Sequence, residues 1–205
     1  MTSSASSVPV LADVLLLAYS KGFFPMANED TGAIEWHRPD PRGIIPLQSV
    51  RFARFLLKTV KKQVYNVTIN TAFSEVIAGC ANRNETWISQ EIIDAYTQLH
   101  SMGYAYSFEA WNEGRLAGGL YGVAIGRAFF GESMFSVQRD ASKVAFYHLV
   151  HYLREHGFML LDTQYVNDFT LSLGAIEIPD SVYQRILQTS LKPSSDSADE
   201  GCTYC

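Results

Sequence analysis

The sequence is poor in cysteine, with three in 205 residues: Cys80 mid-chain and Cys202 and Cys205 near the end. That is too few for a disulfide framework and suits a reducing compartment. The Cys-Thr-Tyr-Cys ending lacks the second pair or nearby histidine of a metal site, so no metal is expected. No apolar run reaches the roughly 18 residues of a membrane span. Residues 1–8 carry neither the basic nor the apolar region of a secretory signal, so a cytoplasmic protein without a membrane partner is expected. Positive charge is scarce too: 16 Lys and Arg stand against 21 Asp and Glu, a net charge of −5. Bulk charge therefore argues against non-specific nucleic-acid binding but leaves room for a local basic face.

Several catalytic signatures are missing as well. There is no Gly-x-Gly-x-x-Gly, no Gly-Lys-Ser/Thr phosphate loop, no His-Glu-x-x-His and no Gly-x-Ser-x-Gly elbow. His148 and His151 share a helix face without a third ligand.

What is present is enough apolar residue, 47%, for one good-sized core. The chain centres on residues 115–143, an apolar, glycine-rich stretch read as two strands. It places Glu132 between Gly131 and Ser133 just before a helix. Gly118, Gly119, Gly122 and Gly126 weaken a strand by entropy, so they mark either a tightly packed sheet or the close approach of a ligand. Downstream, Phe158 to Gln164 is a short apolar run too brief for a helix and is read as a buried strand. Asp162 and Gln164, two apart, share one face of it.

The remaining elements follow from periodicity and punctuation. Residues 1–8 and 192–205 are read as disordered ends, and 11–19 as a helix stopped by Gly22 and Pro25. The proline-rich stretch 23–46 is expected to be irregular; its Trp36 and Arg42 either cradle a ligand or brace the loop. Residues 50–62 read as a helix with an apolar stripe of Phe52, Phe55, Leu56 and Val60. Its other face carries Arg51, Arg54, Lys58, Lys61 and Lys62, either a solvated face or a phosphate-contacting one. A strand at 64–69 and helices at 72–81 and 89–102 come next, with Trp87 in the loop between the two helices. A hairpin (104–111 and 115–125), a strand (129–135) and a long helix (141–156) lead to the 158–164 strand. A short helix, a strand at 176–178 and a final helix at 180–191 complete the pattern. This order resembles the mixed sheet of an acetyltransferase-like (GNAT-type) acyltransferase, an α+β fold. The turn opening the long helix, Val137 to Lys143, has no glycine, which argues against a coenzyme A pyrophosphate site.

The residues together resemble the leucyl/phenylalanyl-tRNA–protein transferase family. The resemblance rests on Ala18-Tyr19, Gly22 to Pro25, Trp36 with Pro39 to Arg42, Ala78 to Ala81, Thr86-Trp87-Ile88, Gly118 to Gly126, Gly131 to Ser136, Ala141 to Lys143, Asp162 with Gln164, and Asn167-Asp168 through Ala175. It runs in order from about residue 17 to residue 190 and implies a small N-terminal domain (1–70) against an acyltransferase-like domain (71–191).

The resemblance also implies roles. Aromatic side chains hold the 3′-terminal adenosine of aminoacyl-tRNA; Trp87 matches one, and Met26 stands at the position of the other. The Leu or Phe side chain would enter a slot of Leu120, Phe129, Met134, Phe146 and Leu153, selecting by shape at about 1–3 kcal/mol per methylene. Asp162 would orient Gln164 toward the reacting carbonyl or amine, with Glu132 nearby. Glu132 and Asp162 would attract an acceptor beginning with Arg or Lys. The basic 51–62 stretch would face tRNA phosphates. No cofactor is implied, and a monomer is expected. The chain departs from the family at Phe169, commonly histidine, and at Tyr104-Ala-Tyr106-Ser. Two other readings stand beside this one: a small-molecule N-acyltransferase, and a non-catalytic tRNA- or peptide-binding module.

Overall fold

The computed structural model describes residues 12–28, 31–83 and 86–192. The stretches read as disordered at residues 1–8 and, from residue 193, at the C-terminus lie outside them. So does the Cys202/Cys205 pair.

A seven-stranded sheet organises the chain. Its strands are β3 (Arg42–Ile44), β4 (Asn66–Ile69), β5 (Ala105–Asn112), β6 (Arg115–Ile125), β7 (Ala128–Ser136), β8 (Leu160–Gln164) and β9 (Ile176–Ile178), in the order β4-β5-β6-β7-β8-β3-β9. The β7–β8 pair is parallel and every other pair antiparallel. The β5–β6 hairpin closes through Glu113 (φ +50°) and Gly114 (φ +73°), the left-handed pair that a two-residue turn of right-twisted strands requires. The crossover between β7 and β8 is α5 (Ala141–Glu155), as parallel neighbours demand.

Helices cover both faces, as the acyltransferase-like reading expects. The amphipathic α5 lays Val144, Ala145, Phe146, Leu149, Val150 and Leu153 on the sheet. The core of that face joins Ala145, Phe146, Leu149, Val150 and Leu153 to Ile45, Phe108, Leu120, Phe129 and Leu161. The helices α1 (Ala12–Ser20), α3 (Phe73–Ala81), α4 (Gln90–Ser101) and α7 (Asp180–Ser190) contribute to a second core around Tyr19, Val76, Tyr96, Tyr121, Phe130 and Tyr183. Ser89 caps α4 by accepting from the Ile92 N–H.

Three expectations need correction. The 23–46 stretch is not irregular: β1 (Phe24–Ala27) and β2 (Ile34–His37) form a two-stranded ribbon, and β3 enters the large sheet. Pro25 is tolerated because the ribbon is all edge. The basic helix is shorter than 50–62: α2 spans Arg54–Lys61, and only Leu56 of its expected stripe is buried. Phe52 precedes it and packs against Phe146 and Tyr147, while Phe55 is exposed. The 158–164 strand starts at Leu160, after a two-residue lead-in. Both β3 and β4 come from the 1–70 stretch and hydrogen-bond into the sheet built mostly by later residues.

Candidate active site

The parallel strands β7 and β8 are in register only through Ala128–Leu160, Phe129–Leu161 and Phe130–Asp162. Beyond that point β7 stays with β6 and β8 turns to β3, so the two part. A cavity of about 820 Å³ opens at the divergence, lined by Gly131 to Val137 from one side and by Leu161, Thr163, Gln164 and Tyr165 from the other.

Glu132 and Gln164 lie two residues beyond the last registered pair, one on each strand, and bridge the gap: Gln164 Nε2 donates to Glu132 Oε1 at 3.2 Å. Glu132 is the extra residue of a β-bulge, since Ser133 pairs with Tyr121 and Gly131 with Gly122. A bulge re-aims a side chain and bends its strand. Gly122 permits it: a Cβ there would fall on the Phe130 carbonyl oxygen and the Phe129 ring.

The carboxylate of Glu132 is tightly held. Tyr19 donates to Oε1 at 2.7 Å, Tyr96 donates to Oε2 at 3.0 Å, and the two hydroxyls contact each other. Burial, the largest effect, and the nearby Asp162 charge push Glu132 up from 4.5 to about 7, against the lowering effect of the tyrosine donors and Arg42. Burial and the Glu132 charge hold both tyrosines well above the usual phenol range, so they remain donors.

Asp162 lies behind the cavity wall, with no solvent exposure. Its Oδ1 accepts from Arg42 Nε (3.0 Å) and from the Gln164 backbone N–H (2.9 Å). Its Oδ2 accepts from Arg42 Nη2 (2.7 Å) and Tyr183 OH (2.5 Å). Those four donors fill the acceptor positions of a carboxylate. Gln164 has φ +59°, a left-handed conformation uncommon outside glycine and held where surroundings impose it. Asp162 imposes it through the Gln164 N–H. Arg42 is buried, donates to the Gly22 carbonyl at 2.8 Å and stacks over the Phe24 and Tyr183 rings. Of its two readings the brace is the one built here. Trp36, 39% exposed, is outside the cavity lining.

The cavity brings together Met26, Trp87, Leu120, Glu132, Met134, Phe146 and Gln164. The Ala27 N–H donates to the Trp87 carbonyl at 3.2 Å, tying the strand of Met26 to the loop of Trp87. Phe129 and Leu153 belong to the core beneath rather than to the lining; Leu149, Leu161 and Ile45 occupy the wall instead. Asp162 cannot attract an acceptor from the cavity, because it is sealed off and ion-paired with Arg42. Arg51, Arg54, Lys58, Lys61 and Lys62 are all exposed and lie outside the lining. Among the described residues that line it, Arg83 is the one cation; it is anchored on the Met134 carbonyl at the end of α3.

Sequence reasoning passed over Tyr19, Tyr96 and Tyr183 as site residues. A tyrosine on a buried face reads as ordinary core, and nothing local marks its hydroxyl as a donor to a distant carboxylate. Among the described residues no group of three or more His, Cys, Asp or Glu could hold a metal ion.

Comparison with known proteins identifies the family. The model of the leucyl/phenylalanyl-tRNA protein transferase family matches residues 44–188, and that of its N-terminal domain matches residues 10–40. The leucyl/phenylalanyl-tRNA–protein transferase of Gloeobacter violaceus is 47% identical over 184 residues, covering 90% of this chain and 95% of that protein. The one from Maricaulis maris is 51% identical over 185 residues, covering 88% and 86%. FemX shares the fold at a TM-score of 0.51 and 14% identity, over 86% of this chain and 71% of that structure. The chain belongs to the leucyl/phenylalanyl-tRNA–protein transferase family.

Proposed function

We propose that this protein moves Leu, Phe or Met from aminoacyl-tRNA to the α-amine of proteins that begin with Arg or Lys, creating an N-terminus that marks them for degradation. It does so in the cytoplasm, as a monomer and without a cofactor. Among the described residues no helix is long and apolar enough to cross a membrane. The carrying observation is the Glu132–Gln164 pair spanning a cavity that also has a cluster of apolar side chains in its lining. Leu120, Met134, Phe146, Leu149 and Leu161 offer a slot for an aliphatic or aromatic side chain, while Trp87 and Met26 offer faces for the terminal base. Arg83, in the same lining, suits the adjoining phosphate. The exposed cations of α2 and Arg51 suit the acceptor stem.

The reaction is aminolysis of an ester. The amine nitrogen attacks the carbonyl carbon, the C–N bond forms, and the bond to the ribose oxygen breaks. The amine gives up a proton and the ribose oxygen gains one. An α-ammonium with a pKa of about 7.7–8.0 must be deprotonated first. Glu132, at about 7 and facing the cavity, is matched to take that proton near neutrality. Its charge also favours a cationic first residue. Gln164 loses its hold on Glu132 when an ammonium arrives and turns its amide to the ester. Asp162, Arg42 and Tyr183 act only by fixing the Gln164 backbone.

The test is transfer of radiolabelled leucine from charged tRNA to a peptide starting with Arg, beside one starting with Asp. Label on the Arg peptide alone is expected. Label on the Asp peptide means a different acceptor pocket, and none on either favours a binding module. Gln164→Ala should lose transfer while keeping tRNA binding.

A further inference from the structure

Two buried hydroxyls that line the cavity, Tyr121 and Thr163, have no hydrogen-bond partner among the described residues. Tyr121 is the sharper case, because the residue is fully buried and a phenylalanine would fill the same space without an unsatisfied hydroxyl. Its ring cannot swing toward a partner elsewhere. It is clamped edge-on by Tyr96 (centroids 5.5 Å, 79°) and Phe73 (5.9 Å, 78°). Across the strands Tyr121 pairs with Ser133, beside the bulge that carries Glu132.

Glu132 explains why a second acceptor is wanted there. A carboxylate offers about four acceptor positions. Tyr19 and Tyr96 occupy two of them, and Gln164 fills a third until the acceptor displaces it. A guanidinium brings five N–H donors and an ammonium three, so a cation docking on Glu132 would bring more donors than that carboxylate has positions left to accept. The Tyr121 hydroxyl lines the same cavity and, without a partner among the described residues, has two free lone pairs to receive them.

We propose that Tyr121 is a binding residue for the acceptor, its hydroxyl accepting a hydrogen bond from the cationic side chain of the first residue alongside Glu132. This rests on the acceptor reading given above. It assigns Tyr121 a part in choosing Arg and Lys, and none in tRNA binding or in the proton transfer.

The experiment is Tyr121→Phe in the full chain, with steady-state transfer to peptides starting with Arg, Lys or the uncharged isostere citrulline. The acceptor KM for the Arg peptide should rise about tenfold, equivalent to about 1.4 kcal/mol, and the preference for Arg over citrulline should narrow. The kcat and the KM for aminoacyl-tRNA should stay as in the parent. Because the hydroxyl has no partner among the described residues, Tm should hold or rise. An unchanged acceptor KM, a raised tRNA KM, or a lowered Tm would each overturn the assignment. Failure of the parent protein to use any Arg or Lys peptide would instead remove the acceptor reading itself.

Discussion

Removing Arg42 alone should be far more damaging than removing its charge together with that of Asp162. The pair is entirely buried, with two charge-assisted bonds at 3.0 and 2.7 Å, and Arg42 adds a third bond to the Gly22 carbonyl. Arg42→Met keeps most of the volume but leaves the Asp162 carboxylate with only Tyr183 and the Gln164 N–H. Breaking one side of a buried pair costs about 3–5 kcal/mol, because an uncompensated charge remains. That is a large share of the 5–15 kcal/mol that typically separates folded from unfolded chains. At a urea slope of about 2 kcal/mol per molar, the midpoint should fall by about 1.5–2.5 M. Adding Asp162→Asn removes the stranded charge while leaving an oxygen for the Gln164 N–H, so the double variant should recover about half the loss. Urea unfolding followed by tryptophan fluorescence reads both, and transfer activity should follow the same order. A double variant no more stable than Arg42→Met would refute the view that the stranded charge, rather than lost packing on Phe24 and Tyr183, sets the cost.

Four further outcomes are expected. Transfer should rise with pH through about 7 as Glu132 loses its proton, and Glu132→Gln should abolish that limb of the profile. The same elevation has a stability consequence: between about 4.5 and 7 the folded chain binds more protons at Glu132 than the unfolded one. Stability should therefore decline with rising pH across that window and level off above it, which thermal melts at several pH values would show. Reversing Lys58, Lys61 and Lys62 to Glu should weaken tRNA binding at low salt, with the difference shrinking as salt rises, and leave Leu/Phe preference alone; unchanged low-salt affinity would count against α2 as the phosphate face. Gly122→Ala should cost several kcal/mol and scramble the bulge, detectable as a lowered Tm together with lost transfer, since the new Cβ meets a backbone carbonyl that cannot yield.

Elements with a local signal were legible in the sequence. The β5–β6 hairpin has its Glu113-Gly114 turn, α5 has an uninterrupted 3.6-residue stripe, and Ser89 announces α4. The site was half legible, because Glu132, Asp162 and Gln164 are polar residues on otherwise apolar strands. The rest depends on partners distant in the chain. At three residues β3 is too short to show any alternation, and Arg42 meets Asp162 across 120 positions. Phe129 and Leu153 looked like slot residues because apolar spacing is the same signal whether a side chain faces a cavity or a packed core. The bulge at Glu132 left no trace either, since one extra residue on β7 is defined only by its pairing with β6.

The two acidic side chains at the divergence of β7 and β8 show how one sheet assigns opposite roles to like groups. Asp162, at the last registered pair, is close enough to β3 and α7 to collect a guanidinium, a phenol and a backbone N–H, and so is spent on geometry. Glu132, past the divergence, has moved beyond the reach of Arg42 as a hydrogen-bond partner and meets only neutral donors: two tyrosines and an amide. Neutral donors soften burial less than a paired cation does, so Glu132 is left near 7 with the cavity before it. Environments that differ in this way are what separate a structural carboxylate from one able to exchange a proton at neutral pH.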